Sequence, residues 1–165
     1  MELTFTRACM CDWQTVRSVR DRAFYADFER FGHCPGYARP KERVIGGILC
    51  RDEYLIYWGR EAVGGLCVRH DPGNVCHLGS LCVVPEYQGR GIGTQAIAFM
   101  LRRFADASAY TLDTPADKAE NRRFYERAGF RAVGFKEDGG VRLVDYELRP
   151  APSPNASKRR EPNGR

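Results

Sequence analysis

The sequence predicts a single α/β domain in which helices flank a central, mostly antiparallel mixed sheet. Its 165 residues suit one domain, and its 43% hydrophobic content is that of a protein with a packed core. Segments with strand and helix patterns follow one another in the order β, α, α, β, β, β, α, β, α, β, β. We expect this domain to cover residues 1–149.

The N-terminal part of the chain indicates a strand followed by two helices. Leu3–Thr6 alternates apolar and polar side chains, and Asp12 can cap the helix that follows. The apolar positions at helical spacing are Trp13, Val16, Val19 and Ala23. Residues 24–39 suit a helix end followed by a surface loop, because Gly and Pro interrupt them. A second, short helix is predicted after Pro40, from Glu42 to Leu49.

Three consecutive strands are predicted next. They cover Tyr54–Trp58, Ala62–Arg69 and Val75–Val84. The turns between them, Gly59–Glu61 and Asp71–Asn74, are short and contain glycine. Short turns join neighbouring antiparallel strands, so this region should form a meander.

An amphipathic helix and a strand are predicted beyond residue 90. Apolar side chains at i, i+3, i+4 and i+7 mark the buried face of the helix, at Ile97, Met100, Leu101 and Phe104. Tyr110–Asp113 follows as a strand.

The end of the domain predicts a helix and a hairpin. Asp117 and Glu120 have the spacing of a capping box, and Gly129 suits a helix C-terminus. We therefore expect a helix over residues 118–128. The two closing strands are Arg131–Phe135 and Val141–Leu148.

The net charge of +5 is concentrated at the C-terminus. Residues 149–165 carry five basic side chains and one acidic side chain, which is +4 and leaves +1 for the other 148 residues. Residues 150–165 are rich in Pro, Ser and Asn, so we predict a disordered basic tail. The domain shows no basic stripe interleaved with aromatic residues, so we expect no nucleic-acid partner, with a nucleic-acid-binding tail as the alternative.

The sequence favours a cytoplasmic protein without a membrane partner. No segment approaches the roughly 18 apolar residues of a membrane span, and the start does not resemble a secretory signal. The seven cysteines are an odd number without zinc-ligand spacing, so we expect free thiols and no metal. They are Cys9, Cys11, Cys34, Cys50, Cys67, Cys76 and Cys82.

The segment most informative about function is a strand, a glycine-rich turn and the start of a helix. The turn Gln88–Gly93 has the sequence Q-G-R-G-I-G and follows a predicted strand. Such a junction directs unpaired backbone N–H groups, at the positive end of a helix dipole, toward one point. Glycines let an anion approach the backbone closely, and Gln88 or Arg90 could add side-chain donors. The segment therefore predicts a diphosphate site.

Other interpretations of this turn fit less well. A Walker A loop requires a lysine after the glycines, whereas Thr94 follows Gly93 directly. A Rossmann fingerprint has the spacing G-x-G-x-x-G after a parallel strand, and here the spacing is G-x-G-x-G after three antiparallel strands. A helix cap with tight packing and no ligand is the structural alternative.

Two motifs together resemble the GNAT superfamily of acetyltransferases. Q-G-R-G-I-G is similar to that family's [QR]-x-x-G-x-[GA] signature, and the segment Asn121–Phe130 contains F-Y-E-x-x-G-F, which resembles its second motif. The motifs stand in the family's order with one helix and one strand between them. The element order extends the resemblance over residues 3–148.

The resemblance implies the acyl-CoA N-acyltransferase fold and an acetyl-CoA-dependent N-acetyltransferase. In this fold strands four and five splay apart, and the pantetheine arm of the co-substrate acetyl-CoA would pair with the backbone of the fourth strand. The candidate cofactor-binding residues are Leu81, Cys82, Val83, Gln88, Gly89, Arg90, Gly91, Ile92, Gly93, Thr94, Asn121 and Phe124.

The resemblance also assigns candidate catalytic residues. Tyr125 matches the tyrosine that protonates the leaving thiolate in many relatives, and a backbone N–H, at Val83, would polarise the carbonyl. His77 stands where many relatives have a glutamate base, and its ordinary pKa near 6.5 suits that role. Asp113 is a second candidate base, and a water chain is a third. An acetyl-cysteine route through Cys82 is the alternative to direct transfer.

The acceptor is expected to contact the first two helices and the loop between them. The candidates are Tyr25, Asp27 and Phe28, with Glu29, Phe31 and Tyr37 close by in sequence. Acidic and aromatic side chains together would suit a cationic or aromatic amine. We expect a primary amine of a small molecule as acceptor and a monomer or homodimer. The alternatives are the N-terminus or a lysine of a protein or peptide, and a non-catalytic acyl-CoA-binding module.

Overall fold

The structure, a computed structural model, describes residues 2–150 and follows the predicted order of elements. The elements are β1 (Leu3–Arg7), α1 (Trp13–Phe31), α2 (Lys41–Cys50), β2 (Asp52–Trp58), β3 (Glu61–Asp71), β4 (Val75–Val83), α3 (Ile92–Arg103), β5 (Ala109–Pro115), α4 (Ala119–Arg127), β6 (Arg131–Asp138) and β7 (Val141–Leu148). Short 3-10 turns at Met10–Asp12 and Pro85–Tyr87 precede α1 and α3.

The strands form one mixed sheet with the order β1-β2-β3-β4-β5-β7-β6. β4 and β5 are parallel, and the other neighbouring strands are antiparallel, so the predicted meander and closing hairpin are confirmed. A parallel pair needs a crossover connection, and α3 supplies it here.

β4 and β5 pair over only part of their length. Their register runs from Val75↔Ala109 to Leu78↔Leu112, whereas β4 continues to Val83 and β5 to Pro115. The separation begins at a bulge in β4, because Val68 pairs with Leu78 while its neighbour Cys67 pairs with Ser80, which leaves Gly79 as the extra residue. The predicted splay of strands four and five is confirmed.

Apolar side chains cover both faces of the sheet. Neighbouring residues Tyr54 and Leu55 of β2 belong to two different buried clusters, as the alternation of side chains along a strand requires. The cluster around Tyr54 contains Ile97 and Met100 of α3, and the cluster around Leu55 contains Val16 of α1 and Val44 of α2. The apolar faces of α1 and α2 therefore pack against one face of the sheet, and the main body of α3 packs against the other.

The helix end and the loop predicted within residues 24–39 are present: α1 continues to Phe31 and ends at Gly32, which has a φ of 65°. Two predictions about helix caps need correction. The capping box at the start of α4 is wrong: Lys118 is the N-cap, and the carboxylate of Asp117 accepts a hydrogen bond from Arg30 Nη2 at 2.9 Å. Asp12 is the N-cap residue of α1, as predicted, but its carboxylate accepts from the Cys9 amide at 2.8 Å and makes no capping hydrogen bond to α1.

The expectation of seven free thiols is wrong for two of them. Cys9 and Cys11 lie on either side of one residue with their Cα atoms 5.4 Å apart, a separation that suits a disulfide, and they are bonded to each other. The other five cysteines are free thiols.

No helix within residues 2–150 is long and apolar enough to cross a bilayer. Beyond Pro150, the predicted basic tail lies outside the described residues.

Candidate active site

The glycine-rich turn adopts a conformation that side chains would disfavour. Gly89 and Gly91 have φ values of 74° and 75°, in the left-handed region. A Cβ atom at either position would meet no other atom within 4 Å, so both positions face open space. Gly91 is the N-cap of α3, and Gln95 donates the first helical hydrogen bond to its carbonyl at 3.1 Å. The preceding amides lie at the exposed N-terminus of a twelve-residue helix.

The polar side chains of this turn bond to its own backbone. Gln88 Nε2 donates to the Val83 carbonyl at 2.9 Å, and Arg90 Nη2 donates to the Glu86 carbonyl at 3.3 Å. The guanidinium of Arg90 also lies 5.1 Å from the centre of the Tyr87 ring. Both side chains therefore hold the shape of the turn, and the backbone is left to face the open space.

A cavity of about 660 Å³, here called the glycine cleft, opens in front of the turn. Its walls are the end of β4, the turn and the first residues of α3, the β5–α4 connection and α4. The lining residues predicted from the sequence are Leu81, Val83, Gln88, Gly89, Gly91, Ile92, Gly93, Thr94, Asn121, Phe124 and Tyr125. Arg90 and Cys82, which the sequence analysis also gives as candidate cofactor-binding residues, do not line it.

The edge of β4 beside the glycine cleft has free backbone groups. The Val84 amide donates to the Val63 carbonyl of β3 at 2.8 Å, so by alternation the amides of Val83 and Leu81 point away from β3. Within residues 2–150, no strand pairs with β4 on that side beyond Leu78. An extended ligand can therefore hydrogen-bond to this edge as an additional strand does.

Cys82 lies between Leu81 and Val83 in the chain, but its side chain faces the opposite way. It is buried in the cluster beneath α1 and α2, and burial raises the pKa of its thiol to about 11. A protonated, buried thiol is a poor nucleophile, and this environment disfavours the acetyl-cysteine route.

α4 closes the glycine cleft from the side opposite β4. A Cβ atom at Gly93 would lie 3.2 Å from Phe124 Cζ, so the glycine allows α4 to approach α3 closely. Asn121, one turn earlier on α4, donates from Nδ2 to Thr114 Oγ1 at 3.2 Å. That bond orients the amide of Asn121 at the wall of the cleft.

Tyr125 of α4 is a wall residue of the glycine cleft and also lines a second cavity, described below. Its side chain packs edge-on against Phe124 and Phe130, with ring centres 5.0 and 6.0 Å away, and 9% of the residue is exposed. Burial raises the pKa of its phenol, and the charge of Asp113 raises it further. The hydroxyl therefore carries its proton at neutral pH.

A second cavity of about 350 Å³, here called the α1 cavity, lies between α1 and the splayed strands. One face of α1 lines it with Arg20, Phe24, Asp27 and Phe31. Residues 33–36, Arg39, Arg51, residues 113–115 and the β6–β7 hairpin complete its walls. The α1 cavity and the glycine cleft share three lining residues, Leu81, Asn121 and Tyr125. The two cavities therefore meet at the gap between β4 and β5.

The charged groups around the α1 cavity are mostly paired. Asp27 accepts from Lys118 Nζ at 2.5 Å, and Asp113 accepts from Lys136 Nζ at 2.8 Å. Arg20 Nη2 donates to both carboxylate oxygens of Glu53 at 2.8 Å. Burial lowers the pKa of Arg20 and the carboxylate of Glu53 raises it, and the net shift is upward.

The structure separates the two candidate bases. Asp113 lines the α1 cavity, whereas His77 lines neither cavity. Nδ1 of His77 lies 2.9 Å from Thr111 Oγ1, and Nε2 lies 3.8 Å from Asp113 Oδ2. Burial lowers the pKa of His77, and the charge of Arg69 lowers it further. His77 therefore lies behind Asp113 as a neutral imidazole at neutral pH.

The candidate acceptor residues fall on different faces of α1. Asp27 and Phe31 line the α1 cavity, but Tyr25 and Phe28 do not, and they are 49% and 40% exposed. The rings of Tyr25 and Phe28 pack against Tyr37 on the outer surface, with centre distances of 5.9 and 4.7 Å.

Sequence reasoning did not nominate Arg20, Phe24, Arg39, Arg51 and Asp138 as cavity residues. The spacing of positions 20, 24, 27 and 31 places them on one helical face, and that periodicity was a usable signal. Arg39, Arg51 and Asp138 come from three separate segments that only the fold brings together.

Comparisons with known proteins agree with this geometry. The model of the acetyltransferase (GNAT) family matches residues 5–130. No curated protein sequence matches the chain. The fold is similar to that of an acetyltransferase from Thermus thermophilus, with 20% identity, a TM-score of 0.74 and coverage of 91% of this chain and 98% of the other.

Two further solved structures have a similar fold. The PaiA N-acetyltransferase from Thermoplasma acidophilum, in complex with coenzyme A, is 15% identical with a TM-score of 0.73, and 88% of this chain and 98% of the other are covered. The ribosomal-protein-S18-alanine N-acetyltransferase from Escherichia coli is 13% identical with a TM-score of 0.76, and the coverage is 94% and 98%.

The matched residues include both the glycine-rich turn and the helix that carries Tyr125, and they span most of the domain. The chain therefore belongs to the acetyltransferase (GNAT) family and is an acetyl-CoA-dependent N-acetyltransferase.

Proposed function

We propose that the protein transfers the acetyl group of acetyl-CoA directly to a primary amine of a small molecule. The observation that carries this proposal is the junction of the two cavities at Leu81, Asn121 and Tyr125. A junction of this kind lets donor and acceptor be bound together, as direct attack requires. The α1 cavity, at about 350 Å³, is within the size range of small-molecule sites.

The glycine cleft fits acetyl-CoA through its backbone. The amides at the N-terminus of α3 and the open space at Gly89 and Gly91 suit the diphosphate. The outward amides of Leu81 and Val83 suit the pantetheine arm and the thioester carbonyl, which a backbone donor would polarise. The side chains of Gln88 and Arg90 support the turn in this proposal, and Asn121 and Phe124 form the opposite wall.

Tyr125 is proposed as the general acid. The neutral amine attacks the thioester carbonyl carbon, the new C–N bond forms, and the C–S bond breaks with its electron pair leaving on sulfur. The hydroxyl of Tyr125 carries its proton at neutral pH and is proposed to transfer it to that sulfur as the C–S bond breaks. Its position at the junction of the cavities supports the role.

Asp113 is proposed to receive the proton that the amine loses, directly or through water. It lines the α1 cavity, which supports this role over that of His77. Lys136 hydrogen-bonds to Asp113 and also lies 2.9 Å from Asp145, and these two bonds raise the pKa of Lys136 although its partial burial opposes the shift. His77 is proposed to position the carboxylate of Asp113, since its Nε2 lies 3.8 Å from Asp113 Oδ2.

The test combines calorimetry with a thiol-release assay. Acetyl-CoA should bind to the purified protein, and amines added afterwards should release free CoA thiol at a rate that depends on the amine. A panel of small amines, amino acids and N-terminal peptides separates the small-molecule acceptor from the protein acceptor. Absence of binding would overturn the acetyl-CoA site, and turnover restricted to peptides would overturn the small-molecule acceptor.

A further inference from the structure

Two arginines of the α1 cavity lack ion-pair partners. Two of the acidic residues that line it are paired with lysines, Asp27 with Lys118 and Asp113 with Lys136, and the Asp138 carboxylate lies 3.9 Å from His33 Nε2. Arg20 is paired with Glu53. Arg39 and Arg51 form no salt bridge or side-chain hydrogen bond with any group in residues 2–150, although both line the cavity. Arg39 and Arg51 therefore place positive charge in the cavity that no ion pair neutralises.

The three arginines of the cavity are close enough for their charges to interact. Burial lowers the pKa of Arg39, and the charges of Arg20 and Arg51 lower it further. Arg20 is only 5% exposed, and its hydrogen bonds all run through Nη2. Its buried Nε has no hydrogen-bond partner. Clustered like charges are unfavourable without a ligand, and an anion beside Arg39 and Arg51 would reduce their repulsion.

The positive charge lies at one end of the cavity. Arg51 directly precedes β2, and Arg39 directly precedes the Pro40 N-cap of α2, which packs against β2. Asp113 lies on β5 and Asp138 at the end of β6. In the sheet, β2 and β6 stand on opposite sides of the gap between β4 and β5. The cavity is thus basic on one side of the gap, and carboxylates lie at the gap and beyond it.

We infer that the acceptor amine also carries an acidic group, a carboxylate or a phosphate, which Arg39 and Arg51 bind. This inference rests on the proposed function and names its substrate class. The amine of such a molecule would lie at the gap, near Tyr125 and Asp113, while its acidic group extends toward β2. Guanidinium groups bind both kinds of oxyanion through paired N–H donors.

The lining of the α1 cavity does not favour the cationic acceptor that the sequence alone suggested. Aromatic and acidic residues near position 27 suggested a cationic acceptor, but Tyr25 and Phe28 lie outside the cavity and the carboxylate of Asp27 is bonded to Lys118. A second positive charge on the acceptor would meet Arg39 and Arg51, and this arrangement disfavours diamines.

The experiment compares matched acceptors in the thiol-release assay. The panel contains common L-amino acids, their carboxamides and the amines formed by removing the carboxyl group, together with ethanolamine and its phosphate ester. Each kcat/KM is corrected for the fraction of neutral amine. The acid should exceed its own amide and amine by roughly tenfold or more, as expected for a charge-assisted hydrogen bond. The phosphate pair distinguishes a phosphate acceptor from a carboxylate acceptor.

Variants then test the two arginines. Arg39→Gln and Arg51→Gln should each reduce the preference for the acid at least about threefold, mainly through the KM for the acceptor, because a paired donor is lost. The KM for acetyl-CoA should be unchanged. Arg43→Gln is the matched control, since Arg43 is an exposed residue of α2 that does not line the cavity. A thermal shift with acetyl-CoA checks that each variant is folded.

Each outcome separates this inference from the proposed function. Preference for amides or amines, or an acid preference that survives in both Arg39→Gln and Arg51→Gln, overturns the acidic acceptor while the small-molecule acetyltransferase stands. Failure of acetyl-CoA to bind, or thiol release with no member of the panel, overturns the proposed function itself.

Discussion

The glycine cleft and the α1 cavity meet at one gap but are built in different ways. The glycine cleft takes its donors from the backbone of one continuous stretch, β4, the turn and the start of α3, and α4 supplies its opposite wall. The α1 cavity takes its charges from the side chains of α1, of the segments around α2, of β5 and of the β6–β7 hairpin. Backbone donors in a fixed turn suit one constant ligand, here the acyl donor. Side chains on separate segments allow the acceptor to change without disturbing the fold.

The largest expected effect concerns the backbone of the turn. Gly91→Glu should weaken binding of acetyl-CoA at least about a hundredfold, because a carboxylate would enter the space in front of the α3 amides and repel the diphosphate. Calorimetry with acetyl-CoA measures the change. Gly73→Glu is the control, since Gly73 also has a positive φ, of 80°, and open space around its Cβ position, but lies in the β3–β4 turn. Equal affinities of the two variants would place the diphosphate elsewhere.

Tyr125→Phe tests the junction between the two regions. Loss of the hydroxyl should lower kcat on the order of a hundredfold if it supplies the proton to the thiolate, while the dissociation constant of acetyl-CoA stays nearly the same. Tyr110→Phe removes another buried hydroxyl, which donates to the Phe104 carbonyl at 2.7 Å and lines neither cavity. Turnover of Tyr125→Phe at the rate of that control would remove Tyr125 from the mechanism.

A smaller effect is expected at the acceptor side of the gap. Asp113→Asn should lower kcat/KM for the amine by about tenfold, since water can replace a base in part, and should leave acetyl-CoA binding intact. His77→Gln should have less effect on kcat/KM, because His77 lines neither cavity. A larger loss in His77→Gln than in Asp113→Asn would reverse the order of the two residues.

The smallest effect concerns stability, not activity. The folded state lowers the pKa of His77 below its ordinary value of 6.5, so the unfolded chain binds this proton more readily. The free energy of unfolding should therefore fall as the pH drops below about 6.5, and His77→Gln should reduce the slope of that fall. Urea unfolding between pH 5 and pH 8 measures it, with pH values chosen around the ordinary pKa. If the free energy of unfolding of His77→Gln fell with pH as steeply as that of the unsubstituted protein, His77 would bind its proton equally well in the folded and unfolded states.

The turn and the helix beside the glycine cleft could be predicted from the sequence because their determinants are local. The positions of Gly89, Gly91 and Gly93 specify a turn and a close helix contact that few other residues allow, and the pattern around Ile97 specifies the helix behind it. The prediction that β4 and β5 splay apart came from the family resemblance. Its physical cause, the bulge at Gly79, depends on pairing with β3 and has no clear signal in the residues alone.

The α1 cavity was predicted only in part because its charges pair across the fold. Asp27 of α1 accepts a hydrogen bond from Lys118, a residue 91 positions away in the chain. Asp113 and Lys136 meet only because β5, β7 and β6 are neighbours in the sheet. Tyr25 and Phe28 are residue types that are common in pockets, but they lie on the outer face of α1, where their rings pack against Tyr37.

The shared wall of Leu81, Asn121 and Tyr125 has a consequence for inhibitor chemistry. Because the two cavities adjoin there, one molecule that joins CoA through an acetyl bridge to the acceptor should span both cavities. Its second half would bind without a further loss of translational freedom, so tethering should gain affinity over the separate halves. Such a conjugate would also immobilise the gap between the strands and serve as a handle for crystallising the enzyme with both sites filled.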